Sequence, residues 1–484
     1  MAINLVWPKR DLRQQDHKPL LEASKSGHPV LLVYNFEPML FEDQHFSDRH
    51  WRFVWQSLID IKSKIPQGAL HIVSKDAKQA FNDIHQKWHI NALYSYQEIG
   101  LNNTFKRDIA IQNWCLKRGI QWTEYPIGAV IRALNSRQNW DTHWQQVMRS
   151  SQDNLNLSQI NWGQIGTTEL STFLVNKLNE QYSTFQQGGE SMTHKVLDSF
   201  FQQRGKSYAF SLSSPSLSVE HCSRLSAYLA WGNISLKQVY QKLLSYWHKP
   251  SWRRSLVAFS SRLHWHCHFI QKFESECQME FYCINKGYEA LPRVTGDEAF
   301  EKLQAWKTGQ TGIPMVDACM RSLINTGYLN FRMRAMLVSF LTHHLALDWR
   351  LGVKHLASVF LDFEPGIHYS QFQMQASVTG INTIRIYNPI KQGEEKDPDG
   401  EFIKTWLPEL NELPAPFFHT PWEMTPMEQL MYNVELGSDY PMQIVDIKQS
   451  YKAAQSLLWQ WKSKPQVKIE AQRILAKHVR PSTS

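Results

Sequence analysis

The first 130 residues alternate short apolar runs with longer amphipathic ones, and a chain patterned this way is largely committed to a parallel sheet. The runs are INLVW (3–7), PVLLVYNF (29–36), ALHIVS (69–74), NALYSY (91–96) and IQWTEY (120–125), with helices expected near 47–64, 76–88 and 103–118. Strands separated by helices predict a sheet covered on both faces. No glycine-rich dinucleotide fingerprint follows the first strand, which argues against a nicotinamide site there.

Residues 131–190 change character. SRQNWDTHWQQVMRSSQDNLNLSQINWGQIGTTEL is rich in Ser, Gln, Asn and Thr and reads as a connector with some helix. From 191 to 484 the pattern is mostly helical, with Gly and Pro in the loops. The prediction is an α/β N-terminal domain over 1–130 (a parallel, Rossmann-like sheet), a connector over 131–190, and a larger all-α domain over 191–484. With 42% hydrophobic and 20% charged residues, the 484-residue chain can fill sizeable cores. A net charge of +8 permits a polyanionic partner without requiring one. The six cysteines (115, 222, 267, 277, 283 and 319) include no CxxC pair, so reduced thiols are expected rather than disulfides or a metal cluster. The N-terminus is unlike a signal peptide and no apolar stretch reaches about 18 residues, so no membrane span is expected.

Four features could carry chemistry. In TGYLNFRMRAMLVSFLTHHLALDWR (326–350), Met333, Met336, Leu337, Phe340, Leu341 and Leu345 form one apolar helical face. Arg332 and Arg334 stand at its start, where a helix already carries partial positive charge. They call for a phosphate or a buried carboxylate, and Asp362 and Glu364 in FLDFEPGIHYS are candidates; a surface ion pair of little energetic weight is the plainer alternative. YAFSLSSPSLSVEHCSRLSAYLAWGNIS (208–235) is dense in hydroxyls, with a helix expected to start near Ser223; it could cradle phosphate or simply cap that helix. Most of the 19 tryptophans are core aromatics, but a few could stack on a flat ligand or pass electrons. His264, His266 and His268 alternate in LHWHCHFIQKFE and do not share a helix face, which argues against a metal cluster.

Taken together, WPKRDLRQQDHKPL (7–20), CSRLSAYLAWGNIS (222–235), the segment from AWKTGQTGIP to ALDWRLG, and RIYNPIKQGEEKDPDGEFIKTWLPEL resemble the cryptochrome/photolyase flavoproteins. The resemblance runs in order along nearly the whole chain. It implies an antenna-type α/β domain and a helical domain holding FAD folded into a U. It also leaves room for an antenna chromophore, folate or deazaflavin. The implied chemistry is light-driven: photoexcited reduced flavin passes an electron to a UV-induced pyrimidine dimer flipped out of DNA, the dimer splits, and the electron returns. The alternative is a cryptochrome, a blue-light receptor without repair activity. A monomeric, cytoplasmic protein is expected.

Carried over by this resemblance, Tyr208, Cys222, Ser223, Arg224, Leu225 and Ser226 are expected at the FAD phosphates, with His266 nearby. Arg334 is expected to pair with Asp362 beside the flavin ring. Trp265 matches the floor of the lesion pocket, and Trp306 and Trp349 match the outer and middle members of an electron-carrying tryptophan chain. Arg332 and Arg385 are expected at DNA phosphates.

Several positions depart from the family pattern. Cys222 replaces a threonine, and Arg262 stands where dimer photolyases have a glutamate beside the lesion, which puts it at the DNA. Phe331 takes the place of an asparagine facing the flavin, with Asn330 one residue early, a turn of about 100° on a helix. SQFQMQ (370–375) replaces a tryptophan-rich stretch, removing the inner tryptophan of the chain; Phe372 or Tyr369 could stack there, and of the two only tyrosine relays electrons well. No cysteine follows Cys319, so no iron–sulfur cluster is expected, and the short tail after the helical core favours repair over signalling. The departures suggest a divergent bacterial-type subgroup.

Overall fold

The computed structural model describes residues 2–479. Six strands form one sheet in the order β5-β4-β1-β2-β3-β6, all pairs parallel. They are β1 (Ile3–Val6), β2 (Val30–Asn35), β3 (Leu70–Val73), β4 (Ile90–Tyr96), β5 (Gln121–Tyr125) and β6 (Thr168–Glu169). Every residue of β1, β2 and β3 is buried, as expected for central strands with helices on both faces. The helices α1 (Asp48–Lys62), α2 (Ala77–Trp88) and α3 (Asn102–Arg118) fall within two residues of their predicted bounds. The stretch expected to be only a connector supplies β6, which pairs with Ile72 and Val73 and lengthens the sheet at its edge.

Past residue 190 the chain is helical. The helix α4 (Arg253–Ser275) buries Leu256, Phe259, Leu263, Cys267, Ile270 and Phe273, a run at three- and four-residue spacing. That stripe fixes which side chains turn outward: Arg262 and Trp265 are exposed.

The segment 326–350 is not one helix. Gly327, at φ +68°, closes the helix before it; α5 (Phe331–Ser339) then runs into a π-helical turn, Phe340–His344. Ala346 breaks the chain at φ +53°, and the Asp348 side chain caps α6 (Trp349–Val359) by accepting from the Arg350 N–H at 2.8 Å. Met333, Met336, Leu337, Phe340 and Leu341 stay buried across the π turn, so the apolar periodicity hides the change of pitch. The last helix of the group is α7 (Pro365–Gln375).

Within α6, Gly352 lets two layers meet: a Cβ there would run into Leu341 Cδ2 and lie 3.0 Å from the Trp306 ring. Gly→Ala in a helix normally stabilises by about 1 kcal/mol. Here overpacking reverses the sign, and Gly352→Ala is expected to lower stability by about 1–3 kcal/mol. A fall in the urea midpoint checks this; a rise would show that the Leu341–Trp306 layer yields.

Candidate functional site

The two arginines of α5 have separate fates. Arg334 forms a two-pronged ion pair with Asp362, Nη1 to Oδ1 at 2.9 Å and Nη2 to Oδ2 at 2.7 Å. Its Nε–H donates to the Leu329 carbonyl at 2.7 Å, and its guanidinium lies 3.9 Å over the Phe360 ring. The Asp362 side chain is only 6% exposed. Burial works against its charge, but the Arg334 cation and its hydrogen bonds outweigh this and hold the carboxyl below its ordinary range. Glu364, the other candidate carboxylate, lines the same cavity but turns to a different arginine: its carboxylate lies 3.5 Å from Arg10, whose guanidinium also donates to the Phe363 carbonyl. Arg332 has no hydrogen-bond or ion-pair partner among the described residues, and its Nε is buried and unsatisfied.

The Arg334–Asp362 pair forms one wall of a partly open cavity of about 50 Å³. From α5 it takes Phe331, Arg334, Ala335 and Val338, and from α7 it takes His368, Gln371, Phe372 and Gln375. Both sets have i, i+3, i+4, i+7 spacing, one helical face each. Phe360 and Phe363 complete an aromatic lining, and Phe331, 43% exposed, stands at the mouth. His368 was not anticipated. Its Nε2–H donates to the Val353 carbonyl at 2.8 Å, and burial pushes its imidazole down to about 3, so it is neutral.

The hydroxyl-rich segment meets this wall from the other side. Its helix runs from Ser226 to Ala230, beginning later than expected; ahead of it the chain turns through Arg224 at φ +58°, a left-handed conformation rare for arginine. Ser226 lies beside Asp362 and helps to hold its charge, and the Arg224 guanidinium stacks 3.7 Å over the Tyr328 ring. Ser223 Oγ accepts from the Leu225 N–H, while the Leu225 side chain is buried in the core, leaving only its backbone for a ligand. Cys222 is half-buried beside Tyr208 and Tyr328, and burial raises its thiol to about 11, so it is an uncharged lining group. Beyond Arg224 opens a second cavity, lined by Arg204, Lys206, Ser207, His221 and Arg224. The molecule therefore has an aromatic cavity and a second, largely basic one that Arg224 borders and that also takes in Glu220. That division suits a ligand with a flat ring system and a phosphate.

Two polar atoms buried near these chambers lack partners. Asn330, just before α5, donates from Nδ2 to the Leu212 carbonyl, leaving Oδ1 unsatisfied. Asn330 is not among the residues lining the aromatic cavity. His266 Nδ1 is likewise orphaned; burial and the nearby Arg10 lower its imidazole to about 4. These orphans are consistent with a polar ligand completing the site.

The tryptophans differ from expectation in one respect. Trp265 is 45% exposed, packed on His268 and Phe269. Trp349 is buried, its ring 6.2 Å from Tyr369 and 6.4 Å from Phe372. Trp306 is wholly enclosed, its indole N–H donating to the Leu337 carbonyl at 3.2 Å, so it offers no surface end to an electron chain. Arg262 and Arg385 are exposed and, like Arg332, have no hydrogen-bond or ion-pair partner among the described residues.

A further crevice lies at the carboxyl ends of β1, β2 and β4, where parallel sheets commonly bind ligands. Trp7, Lys9, Asn35, Glu37, Glu98 and Arg107 line it, and both polar atoms of the buried Asn35 side chain lack partners.

Residues 4–138 match the sequence family described as DNA photolyase, and residues 259–460 match the FAD binding domain of DNA photolyase. The chain is 27% identical over 480 residues to a deoxyribodipyrimidine photo-lyase of Alkalihalophilus pseudofirmus, covering 94% of this chain and 97% of that one. It is 28% identical over 488 residues to a cryptochrome DASH of Gloeobacter violaceus, covering 94% and 95%. Among solved structures, a Synechocystis cryptochrome superposes with a TM-score of 0.83 at 24% identity, over 94% of this chain and 99% of that one.

Proposed function

Because the chain belongs to the DNA photolyase and cryptochrome family, we propose that it is a light-driven DNA photolyase that splits UV-induced pyrimidine dimers. The observation that carries this reading is the Arg334–Asp362 pair walling an aromatic chamber, with an unpaired arginine, Arg332, next in the chain to the Phe331 that lines it.

FAD, when bound, supplies the light absorption and the transferable electron. The chain's own residues do the rest. Arg334 and Asp362 present a fixed dipole to the ring, already oriented before any charge moves. Phe331, Phe360, Phe363 and Phe372 exclude water from the chamber. Lys206 and Arg224 would take the phosphates, while Arg204 holds the Glu220 and Cys222 carbonyls beside them. Arg332, Arg262 and Arg385 take DNA phosphate, and Trp265 offers a face to an extruded base. The crevice at the strand ends, with its orphaned Asn35, is where an antenna chromophore would sit. Among the described residues, no helix is long and apolar enough to cross a membrane.

A blue-light receptor without repair activity is the second reading. It is favoured by the likeness to a cryptochrome DASH and by Arg262 in place of the lesion-side glutamate. Absorption of the purified protein and repair of cyclobutane and (6-4) lesions, in single- and double-stranded oligonucleotides under blue light, separate the readings. Recovery of thymine absorbance is expected with a flavin spectrum. Flavin photoreduction without recovery would assign the receptor role, and a colourless protein would remove both.

A further inference from the structure

We propose that Tyr369 is the redox-active side chain behind the cofactor chamber, and that the His45–Asp43 pair of the N-terminal domain takes up its phenolic proton. The inference rests on the flavin reading above and adds to it a proton acceptor that joins the two domains.

The geometry is that of an acid facing an oriented base. The Tyr369 O–H donates to His45 Nε2 at 2.6 Å, and His45 Nδ1 lies 2.5 Å from Asp43 Oδ1. The other Asp43 oxygen accepts from Asn103 Nδ2 at 2.7 Å. Burial disfavours the Asp43 charge, yet His45 and these donors hold the carboxyl below its ordinary range. A charged Asp43 fixes the His45 proton on Nδ1 and leaves Nε2 as a lone-pair acceptor. Tyr369 is fully buried and His45 is 3% exposed. Burial, with Glu280 and Asp43 nearby, raises the phenol well above its ordinary value, so it stays protonated until an acceptor moves the proton.

A buried tyrosine needs some hydrogen-bond partner, and a backbone carbonyl would suffice. A basic nitrogen backed by a carboxylate is more than satisfaction requires; it repeats the base-and-orienter arrangement of nucleophile activation. The location also fits. His45 stacks on Phe363 at 5.5 Å and Tyr369 lies 6.0 Å from His368, and both Phe363 and His368 line the chamber. Trp349 stands edge-on to Tyr369 at 6.2 Å. The other ring between Trp349 and the chamber is Phe372, which is far harder to oxidise. Of these two neighbours of Trp349, Tyr369 is thus the one that can give up an electron.

The step balances as follows. The Tyr369 O–H bond breaks, and its proton passes to His45 Nε2. One electron leaves the phenol for the oxidant, a photoexcited oxidised isoalloxazine in the chamber. A neutral tyrosyl radical and an imidazolium held by Asp43 remain. Without His45 the same oxidation would strand a buried cation, which the apolar surroundings penalise.

The test is radical identity, read by electron paramagnetic resonance after illuminating and freezing the flavin-loaded protein, with and without ring-deuterated tyrosine. A tyrosyl signal is expected in the wild type and in Trp349→Phe, and none in Tyr369→Phe. In His45→Gln the amide oxygen can accept the same O–H, preserving the fold, but it cannot take the proton. Tyrosyl formation should then slow about a hundredfold, the low end for a positioned proton acceptor, and lose its solvent deuterium effect. A photoreduced flavin with no tyrosyl signal, or a signal that survives Tyr369→Phe, overturns the proposal. Photo-oxidation with a ruthenium tris-bipyridyl and persulfate pair gives a flavin-independent arm. A tyrosyl signal there that depends on both Tyr369 and His45 upholds the triad even if the protein is colourless; a signal indifferent to both variants refutes it.

Discussion

Asp362→Asn is expected to leave a folded but weakened protein that loses its flavin on gel filtration. Arg334 donates through both terminal nitrogens to the two Asp362 oxygens, and among the described residues no other carboxylate lies within ion-pair distance of it. An amide keeps the shape but removes the counter-charge, and one of its two ends becomes a donor facing a donor. Breaking a buried ion pair from one side costs about 3–5 kcal/mol. The Arg334 side chain is 23% exposed, and solvent screening brings the expected loss to the low end, about 3 kcal/mol. If most of that is expressed in ligand binding, flavin affinity falls about a hundredfold, since each 1.4 kcal/mol is tenfold. The pH dependence has a definite sign. The Asp362 carboxyl is held below its unfolded value, so the pair's stabilisation is complete above the ordinary carboxylate range and is lost as pH falls through the lowered one. The variant should lack that acid-side loss. Flavin-to-protein absorbance ratio and thermal melting across pH measure both effects, and an unchanged ratio with an unchanged melting point would take the pair out of the site.

The sheet was legible because β1 to β5 are apolar runs of strand length, and the intervening helices carry their own period. β6 was not: Thr168 and Glu169 are both exposed, and two polar residues give no periodic signal. The π turn at 340–344 was hidden because the buried face continues through it. At the site, charge at the wrong end of a helix pointed to Arg332 and Arg334 and to Asp362 or Glu364 as their partners; only the family resemblance narrowed this to Arg334 with Asp362. Electrostatics could not divide two carboxylates among several arginines, and the Arg10 partner of Glu364 lies too far away in the chain to be read from either segment. His368, Gln371, Phe372 and Gln375 did carry a signal: their spacing is one helical face directly after Asp362, visible once the loop is read as a helix start. The His45–Tyr369 contact joins residues 324 apart, and nothing local in either segment announces it.

Replacing Arg262, Arg332 and Arg385 together with alanine is expected to lower the salt dependence of DNA binding more than any other change to three surface charges. Many of the protein's cations are already committed. Arg334 is held by Asp362, Arg350 by Asp348 and Glu289, and Arg473 by Glu276 and Glu470. Arg262, Arg332 and Arg385 have no ion pair among the described residues, so their full charge is available to phosphate, and each stands in a segment that the proposed reading puts at the DNA. A neutralised phosphate releases condensed counterions, and each contact contributes about 0.9 to the slope of log K against log salt. Losing three contacts should flatten that slope by about 2.7 and weaken damaged and undamaged duplexes alike, because backbone contacts carry no sequence information. Arg473→Ala is the matched control, since a cation already engaged by carboxylates releases little on DNA binding. Filter binding or anisotropy over a salt series measures the slopes. If the triple variant kept the wild-type slope, DNA would have to lie on another face, and the unpaired Arg332 would lose its assigned role.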